Sequence, residues 1–495
     1  MTSSSLTESP RTHSVTLWTL VALIIGSTVG AGIFSLPQNI ASVAGPGAML
    51  LGWLIAGVGM LSVAFVFQIL AHRKPHLDSG VYSYVRAGLG DFIGFTSGWG
   101  YWLGSVMAQV GYATLFFNTI GHYVPFFDAD HQWVSAIAVS LLSWGIFAVL
   151  ARGIKQAAIM NMVTSVAKIV PILAFIVLIA FLGFSWDKFT LDFWGERSDR
   201  SLFEQVQGIM LFTVWVFIGV EGASVYSKQA RTRKDVGRAT VIGFVSVLAL
   251  LVSVSTLSFG VLTQEELAAL PDNSMASVLT AAVGPWGGAL ISLGLCLSVL
   301  GAYVSWQMLC AEPIVLMAVD GLIPRKIGTV NVAGAPWVAQ LISTLAIQLF
   351  VIVFFLNETS YNAMVQLATI MYLLPYIFSS LYLLLLTLRG KGLTHPHAGV
   401  KFDLSGPEVG RRDNRRHFFI GLVAFIYSVW LIYAADPVYV LLGALAVVPS
   451  MIPYVATRLY KKERVFNTFE WCVVAIVIIG AIAAVWGLST GKLVL

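Results

Sequence analysis

The chain has 495 residues, of which 58% are hydrophobic and only 11% are charged, with a formal net charge of +5. A soluble domain is roughly a quarter charged, so this composition excludes a soluble protein and predicts a polytopic membrane protein whose partner is the lipid bilayer. Nucleic acid is excluded as a partner, because the basic residues lie in short loops between apolar segments. The cysteines (Cys296, Cys310 and Cys472) have no metal-ligand spacing, and no metal or cofactor is predicted.

Apolar runs of about 20 residues predict the spanning helices. They predict an all-α fold with about 13 transmembrane helices. A tail, 1–14, precedes them, and a hydrophilic loop, 389–416, separates the first ten from additional helices in 417–495. The predicted spans are 15–42, 47–72, 91–121, 133–151, 156–184, 205–227, 236–262, 284–318, 335–356, 360–388, 417–435, 437–457 and 469–488.

The loops alternate in charge, which predicts the orientation. Most of the 29 Lys and Arg residues fall in the tail and in every second loop, and cytoplasmic loops carry such an excess. The N-terminus is therefore predicted to be cytoplasmic, and an odd number of spans places the C-terminus outside, in a cell membrane. The basic residues of the other loops are Lys188, Arg197, Arg200 and Lys492, and Lys168 lies within a span.

The first span contains Gly26-Ser27-Thr28-Val29-Gly30-Ala31-Gly32 near its middle. Glycine lets a backbone leave helical geometry, and non-helical backbone at membrane depth survives only where it lines a cavity or is buried in protein. We therefore expect two half-helices around a solute site, with free N–H groups for a carboxylate. The alternative is a Gly26/Gly30 helix-packing face.

The sixth span repeats this pattern at Trp215-Val216-Phe217-Ile218-Gly219-Val220-Glu221. Spans one and six are five apart and cross the membrane in opposite directions. Broken helices at matching positions of two five-helix units indicate an inverted repeat with a midplane site. Carbonyl groups freed near Trp215 to Ile218 are expected to accept hydrogen bonds from an ammonium group.

Two ionisable residues lie at membrane depth. Glu221 is a candidate proton-exchanging group, because burial disfavours the charged form of an acid; a purely structural hydrogen-bonding role is the alternative. Lys168 lies about 13 residues past Lys155, near the bilayer centre at roughly 1.5 Å per residue. Its ammonium group is expected to pair with an acid, to cap carbonyls of a broken helix, or to release its proton.

Aromatic residues recur at one depth and are able to hold a cationic side chain. They are Tyr101, Trp102, Trp215, Trp306, Tyr372 and Tyr376. Gln109, two turns past Tyr101, is a candidate hydrogen-bond partner for the cationic group. Glu312 lies nearer the cytoplasmic end and is expected to be structural or gating rather than substrate-binding.

These motifs, together with Asp320-Gly321-Leu322-Ile323-Pro324, resemble the amino acid–polyamine–organocation transporter superfamily. Within it, the chain is similar to the basic amino acid/polyamine antiporters, and most to the arginine/ornithine antiporters and lysine permeases, with which the extra thirteenth span agrees. The resemblance implies a LeuT-type fold of two inverted five-helix repeats, 15–184 and 205–388, and leaves a homodimer open.

The resemblance also implies residue roles. Ser27, Thr28 and Gly30 would bind the substrate carboxylate through backbone amides, and the carbonyls of Trp215 to Ile218 would bind the α-amino group. Trp306 would stack on the cationic head, while Tyr101, Trp215 and Tyr376 would act as gates. Glu221 would couple protonation to the substrate cycle, and Lys168 would stand in for a sodium ion. Gln109 and Ala368 replace an asparagine and a serine of the arginine/agmatine exchanger, which weakens the case for agmatine.

The predicted function is secondary transport of cationic amino acids, arginine or lysine, in exchange for ornithine or a related basic product. Two alternatives stay open: a proton- or potential-driven uptake permease for lysine or arginine, and a neutral amino acid/proton symporter. An enzyme is not predicted, because the histidines are scattered rather than clustered. A membrane receptor would need a signalling domain outside the membrane, and the long loops hold too little apolar sequence for one.

Overall fold

The computed structural model describes residues 16–75, 77, 80–127, 132–152, 168–221, 233–356, 361–389 and 409–493. The predicted tail 1–14, the start of the fifth span, the last six residues of the sixth span and most of the loop 389–416 lie outside these ranges. Within them every regular element is helical, which confirms the all-α fold class.

Eighteen helices are labelled in chain order. They are α1 Leu17–Thr28, α2 Gly32–Ala41, α3 Pro46–Arg73, α4 Val81–Leu89, α5 Asp91–Gly121, α6 Gln132–Ala151, α7 Lys168–Gly183, α8 Trp186–Thr190, α9 Leu202–Trp215, α10 Arg233–Phe259, α11 Gln264–Ala268, α12 Ser274–Val283, α13 Pro285–Val319, α14 Trp337–Leu356, α15 Tyr361–Arg389, α16 Arg411–Ala434, α17 Pro437–Tyr460 and α18 Thr468–Ser489.

Within the described ranges, nine helices are long and apolar enough to cross a membrane, and the bent pair α1/α2 makes a tenth. Helices α5, α7 and α9 occupy the positions of the three remaining predicted spans. The predicted helix positions therefore agree with the structure to within a few residues. The largest difference is the start of α16 at Arg411 instead of 417, because its first turns carry basic residues that a hydropathy criterion passes over.

Helix starts follow local sequence signals. Helix α9 begins at a reciprocal capping box between Ser201 and Glu204, and α18 begins at one between Asn467 and Glu470. In this arrangement two backbone N–H groups that the helix leaves free each gain a side-chain acceptor. These caps fix where the spans enter the membrane.

Charged side chains join several helices at the end of the bundle that carries Arg73, Arg86, Arg325, Arg411 and Arg458, here called the basic end. Arg86 donates to Asp91 Oδ1 from Nε (2.7 Å) and to Asp320 Oδ2 from Nη1 (2.8 Å). Tyr82 also donates to Asp320 Oδ2 (2.7 Å), and Arg458 pairs with Asp91. The network links α4, α5 and α17 to the residue that follows α13.

Helices α4 and α5 pack so closely that one contact admits no side chain. A Cβ atom on Gly94 would lie 2.5 Å from Cβ and 2.6 Å from Cα of Arg86, a distance that real Cβ atoms do not show. The backbone of Arg86 cannot retreat without breaking its ion pairs to Asp91 and Asp320. Gly94 therefore sets the position of the basic-end network.

We expect Gly94→Ala to lower the melting temperature of the purified protein, because overpacking typically costs about 1–3 kcal/mol. Gly145→Ala is the matched control, since Gly145 also lies inside a helix and has no atom within 4 Å of its added Cβ. That variant should be neutral or stabilising by up to about 1 kcal/mol. The measurement is thermal unfolding in detergent, and equal melting temperatures for both variants would contradict the packing argument.

Candidate functional site

The break in the first span lies between α1 and α2. Helix α1 ends at Thr28, α2 begins at Gly32, and the two helix axes differ in direction by 53°. The N-cap residue of α2, Ala31, makes no side-chain capping hydrogen bond. The N–H of Phe34 in the first turn donates to the Ala31 carbonyl oxygen (3.1 Å). The positive end of the α2 dipole, which favours an anion, lies at this break.

Lys168 provides a hydrogen-bond donor for a carbonyl on the other side of this break, at the end of α1. Its Nζ donates to the carbonyl oxygen of Gly26 at 2.6 Å, and the side chain is buried. Gly26 lies in the last turn of α1, where carbonyls have no helical donor and where a cation is favoured by the helix dipole. Of the three roles considered for Lys168, the contact corresponds to capping of a freed carbonyl.

The break in the sixth span begins where α9 ends, at Trp215. The chain then turns through 216–221, and Gly219 has φ of +107°, a conformation that favours glycine. A Cβ atom on Gly219 would lie 2.8 Å from the carbonyl oxygen of Ser27. The two breaks therefore lie directly against each other, although residues 222–232 fall outside the described part of the chain.

Glu221 accepts hydrogen bonds from three directions. Its Oε1 accepts from the Tyr101 hydroxyl (3.1 Å), and its Oε2 accepts from the Tyr376 hydroxyl (2.9 Å) and the Gly219 N–H (3.1 Å). The side chain is only 6% exposed. A carboxylate accepts all three bonds without a proton of its own, so Glu221 ties the second break to α5 and α15.

A cavity of about 150 Å³ lies at the contact between the two breaks. It extends from there toward the basic end, where Gly80, Tyr82, Glu312 and Leu316 line it. Its central wall contains residues from both breaks together with residues of α5, α7 and α13: Gly26, Ser27, Val29, Gly30, Tyr101, Lys168, Gly219, Glu221, Ser305 and Trp306.

An aromatic cluster forms one side of the cavity. The ring of Tyr372 packs edge-on against Trp306 (centroids 6.1 Å apart) and against Tyr101 (5.1 Å). The Tyr372 hydroxyl is 2.8 Å from the Ser105 hydroxyl, which fixes this ring. The cluster holds Trp306 and Tyr101 at the wall, where an aromatic face attracts a cation.

The other end of the bundle is closed above the cavity. Ser35 donates to the Tyr361 hydroxyl (3.4 Å), and the backbone N–H of Gln38 donates to Ser274 Oγ (3.1 Å). Trp215 is buried against the Tyr112 ring, with centroids 5.7 Å apart. Within the described part of the chain, these contacts close this side, and the cavity lining extends toward the basic end.

Four of the ten predicted substrate-binding residues line this cavity, and six do not. Ser27, Gly30, Tyr101 and Trp306 line it, as do Glu221 and Lys168. Thr28, Ile218, Trp215 and Tyr376 are buried beside it, and Ala368 packs against Gly104. Gln109 is completely buried, and among the described residues its amide atoms have no hydrogen-bond partner.

Ser305 and Glu312 are among the wall residues that were not predicted to contact a solute. Ser305 is adjacent to Trp306 and gave no signal of its own. Glu312 was interpreted as structural or gating, yet it is exposed and lines the cavity. An acid inside an apolar helix could have indicated that Glu312 lines the cavity. Because Glu312 lies near the end of the helix, the sequence favoured a structural or gating role instead.

Comparison with known proteins decides the family. The sequence profile of the family described as amino acid permease matches residues 15–478. The chain belongs to this family. Its spans, its broken first helix and its central cavity are thus features of an amino acid permease.

Individual relatives match over nearly their whole length. The chain is 70% identical over 482 residues to the L-lysine transport protein of Corynebacterium glutamicum, covering 97% of this chain and 96% of the relative. It is 44% identical over 487 residues to the arginine/ornithine antiporter of Pseudomonas aeruginosa, covering 97% and 98%. It is 35% identical over 485 residues to the arginine/agmatine antiporter of Chlamydia pneumoniae, covering 96% of each.

We expect Gly219→Ala to reduce amino acid exchange roughly 5- to 150-fold while the protein still folds. The added Cβ would overlap the Ser27 carbonyl oxygen and push the second break away from it, and overpacking of this kind typically costs about 1–3 kcal/mol. The measurement is initial exchange rate in proteoliposomes, with gel filtration as the folding check.

Gly334→Ala is the control for this prediction. Gly334 also has a positive φ (+76°), but nothing lies within 4 Å of the Cβ position. Its exchange rate should stay near that of the wild type. An equal loss in both variants would mean that backbone strain, and not the contact between the breaks, limits transport.

Proposed function

We propose that the protein is a secondary transporter that exchanges cationic amino acids, lysine or arginine, for ornithine or a related basic product. The observation that carries the proposal is the cavity at the contact of the two breaks. It is lined on one side by Ser27, Val29 and Gly30, which immediately precede α2, and on the other by Tyr101 and Trp306 with the carboxylate of Glu221. The names of relatives that cover nearly the whole chain point to the same substrates.

The two ends of an amino acid fit different parts of this cavity. The carboxylate of the substrate binds the first N–H groups of α2. The α-ammonium group of the substrate lies against the segment from Trp215 to Gly219. The carbonyls of Trp215 and Phe217 accept turn hydrogen bonds from the N–H groups of Ile218 and Val220, and each keeps a second lone pair. The cationic side chain lies on the face of Trp306, where the attraction is worth about 0.5–2 kcal/mol.

The basic end of the bundle faces the cytoplasm in this proposal. Its arginines and lysines follow the positive-inside rule, so the N-terminus is cytoplasmic and an odd number of spans puts the C-terminus outside. The cavity then faces inward, and the contacts around Ser35, Tyr361 and Trp215 close the outer side. Alternating access moves the repeats 15–184 and 205–388 relative to each other about the central site.

Lys168 and Glu221 are assigned to ion coupling and not to substrate binding. Lys168 places an ammonium group at the Gly26 carbonyl, the kind of freed carbonyl that coordinates sodium in broken-helix transporters. Exchange therefore needs no sodium. Glu221 is the titratable group that connects the second break to Tyr101 and Tyr376, and we assign it the link between protonation and the substrate cycle.

A second candidate is a lysine uptake permease driven by protons or by the membrane potential. It is favoured by the name of the 70% identical relative, which specifies transport of L-lysine without an exchange partner. The same site serves both functions. The two functions differ in whether the transporter can switch between inward-facing and outward-facing states without a bound substrate.

Counterflow in proteoliposomes separates these functions. Vesicles are loaded with lysine, arginine, ornithine, agmatine, leucine or buffer, and uptake of labelled lysine is followed without a sodium gradient. Exchange predicts uptake with internal lysine, arginine or ornithine and almost none with buffer. Uptake into buffer-loaded vesicles that depends on an imposed potential or proton gradient would establish the permease instead. Stimulation by leucine alone would contradict cationic selectivity.

We expect Glu221→Gln to remove most of the pH dependence of exchange while lysine still binds. Glutamine has nearly the same shape and keeps one of the two acceptor oxygens, but it cannot release a proton. The measurement is lysine exchange across a pH series, together with lysine binding at each pH. Glu204→Gln, at the exposed start of α9, is a control on the helix that precedes the second break. An unchanged pH profile in Glu221→Gln would exclude Glu221 as the coupling group.

A further inference from the structure

The cavity continues beyond the central site along α13. This helix carries Trp306 at the centre and Glu312 nearer the basic end, and both residues line the cavity. Six residues of helix correspond to about 9 Å along the axis. A solute that leaves Trp306 for the basic end therefore passes Glu312.

A proline next to Glu312 provides a second acceptor. Pro313 lies inside α13 and has no backbone N–H, so the carbonyl of Leu309, four residues earlier, lacks its helical donor. Leu309 and Pro313 both line the cavity. A carboxylate and a carbonyl without a helical partner thus occur within one turn on the same wall.

The charge of the wall favours a cation at this position. Its charged residues are Glu221, Glu312 and Lys168. The side chains of Lys168 and Glu221 are both buried. Glu312 differs from both because it is exposed on the part of the wall toward the basic end.

We propose that Glu312 and the Leu309 carbonyl form a second cation subsite between the central site and the basic end. It takes the ammonium or guanidinium group of the substrate as the substrate enters from, or leaves to, that side. The proposal rests on the proposed transport of cationic amino acids. The subsite is weak because it is exposed to water, so it concentrates the substrate without retaining it.

The subsite predicts a one-sided change in affinity. In Glu312→Gln, the KM for lysine presented from the basic side should rise about three- to fivefold, the scale of an exposed ion pair. The KM from the opposite side should stay unchanged. Both are measured as initial exchange rates in proteoliposomes whose protein orientation is established by protease accessibility. Glu196→Gln, an exposed acid in the loop after α8, is the matched control and should change neither value.

Restoring a negative charge at position 312 by chemical modification tests the same subsite within one variant. Glu312→Cys should show the raised basic-side KM; an anionic methanethiosulfonate reagent should lower it again, and a cationic reagent should not. Wild-type protein treated with both reagents controls for the native cysteines Cys296, Cys310 and Cys472. This arm also decides the question if Glu312→Gln fails to fold, since it compares two reagents on one variant.

The outcomes separate the two proposals. If the wild type exchanges lysine and the KM from the basic side is the same in Glu312→Gln, or the two reagents act alike on Glu312→Cys, the subsite is overturned and the transport function stands. An equal rise of KM on both sides also overturns the subsite, because it places Glu312 at the central site. If the wild type exchanges no cationic amino acid, both proposals fail.

Discussion

Backbone that leaves helical geometry inside a membrane must find hydrogen-bond partners in the protein, and both breaks of this chain depend on that constraint. An unsatisfied peptide group in an apolar surrounding costs several kcal/mol. At the first break the Gly26 carbonyl accepts from Lys168, and at the second the Gly219 N–H donates to Glu221. The residues that stabilise the breaks are therefore the same residues that carry charge into the cavity. A substitution of Lys168 or Glu221 would therefore change both the backbone at a break and the charge in the cavity.

Recognition and access are divided between different parts of the molecule. In the proposed function the N–H groups at the start of α2 bind a carboxylate, which every amino acid has, and the proposal therefore assigns discrimination to the wall that carries Trp306. Access depends on contacts away from that wall. At the basic end Arg86 and Asp320 join α4 to the end of α13, and at the other end Ser35 contacts Tyr361. Rearrangement of these two groups of contacts is what a change of orientation requires.

The sequence predicted the membrane class, the helix positions, the first break and the two buried charges, because each depends on a local signal. Glycine spacing marks the break, and a charge inside an apolar run is visible without a structure.

The sequence could not predict which side chains line the cavity. Gln109 and Ala368 lie at plausible depths on α5 and α15, but a helix turns by about 100° per residue, and only packing decides which face meets the cavity. Ala368 is fully buried and is absent from the cavity wall. Glu312 was assigned to the helix end by its position in the sequence, whereas the cavity reaches it because the bundle is open toward the basic end.

The central claim is that one site at the contact of the two breaks binds a cationic amino acid by both ends. A cryo-electron microscopy structure of the protein in lipid nanodiscs with saturating lysine tests it most directly. The account predicts ligand density with the carboxylate at the first turn of α2 and the side chain against Trp306. Density that lies outside this cavity, or that reverses the two ends of the ligand, would contradict it.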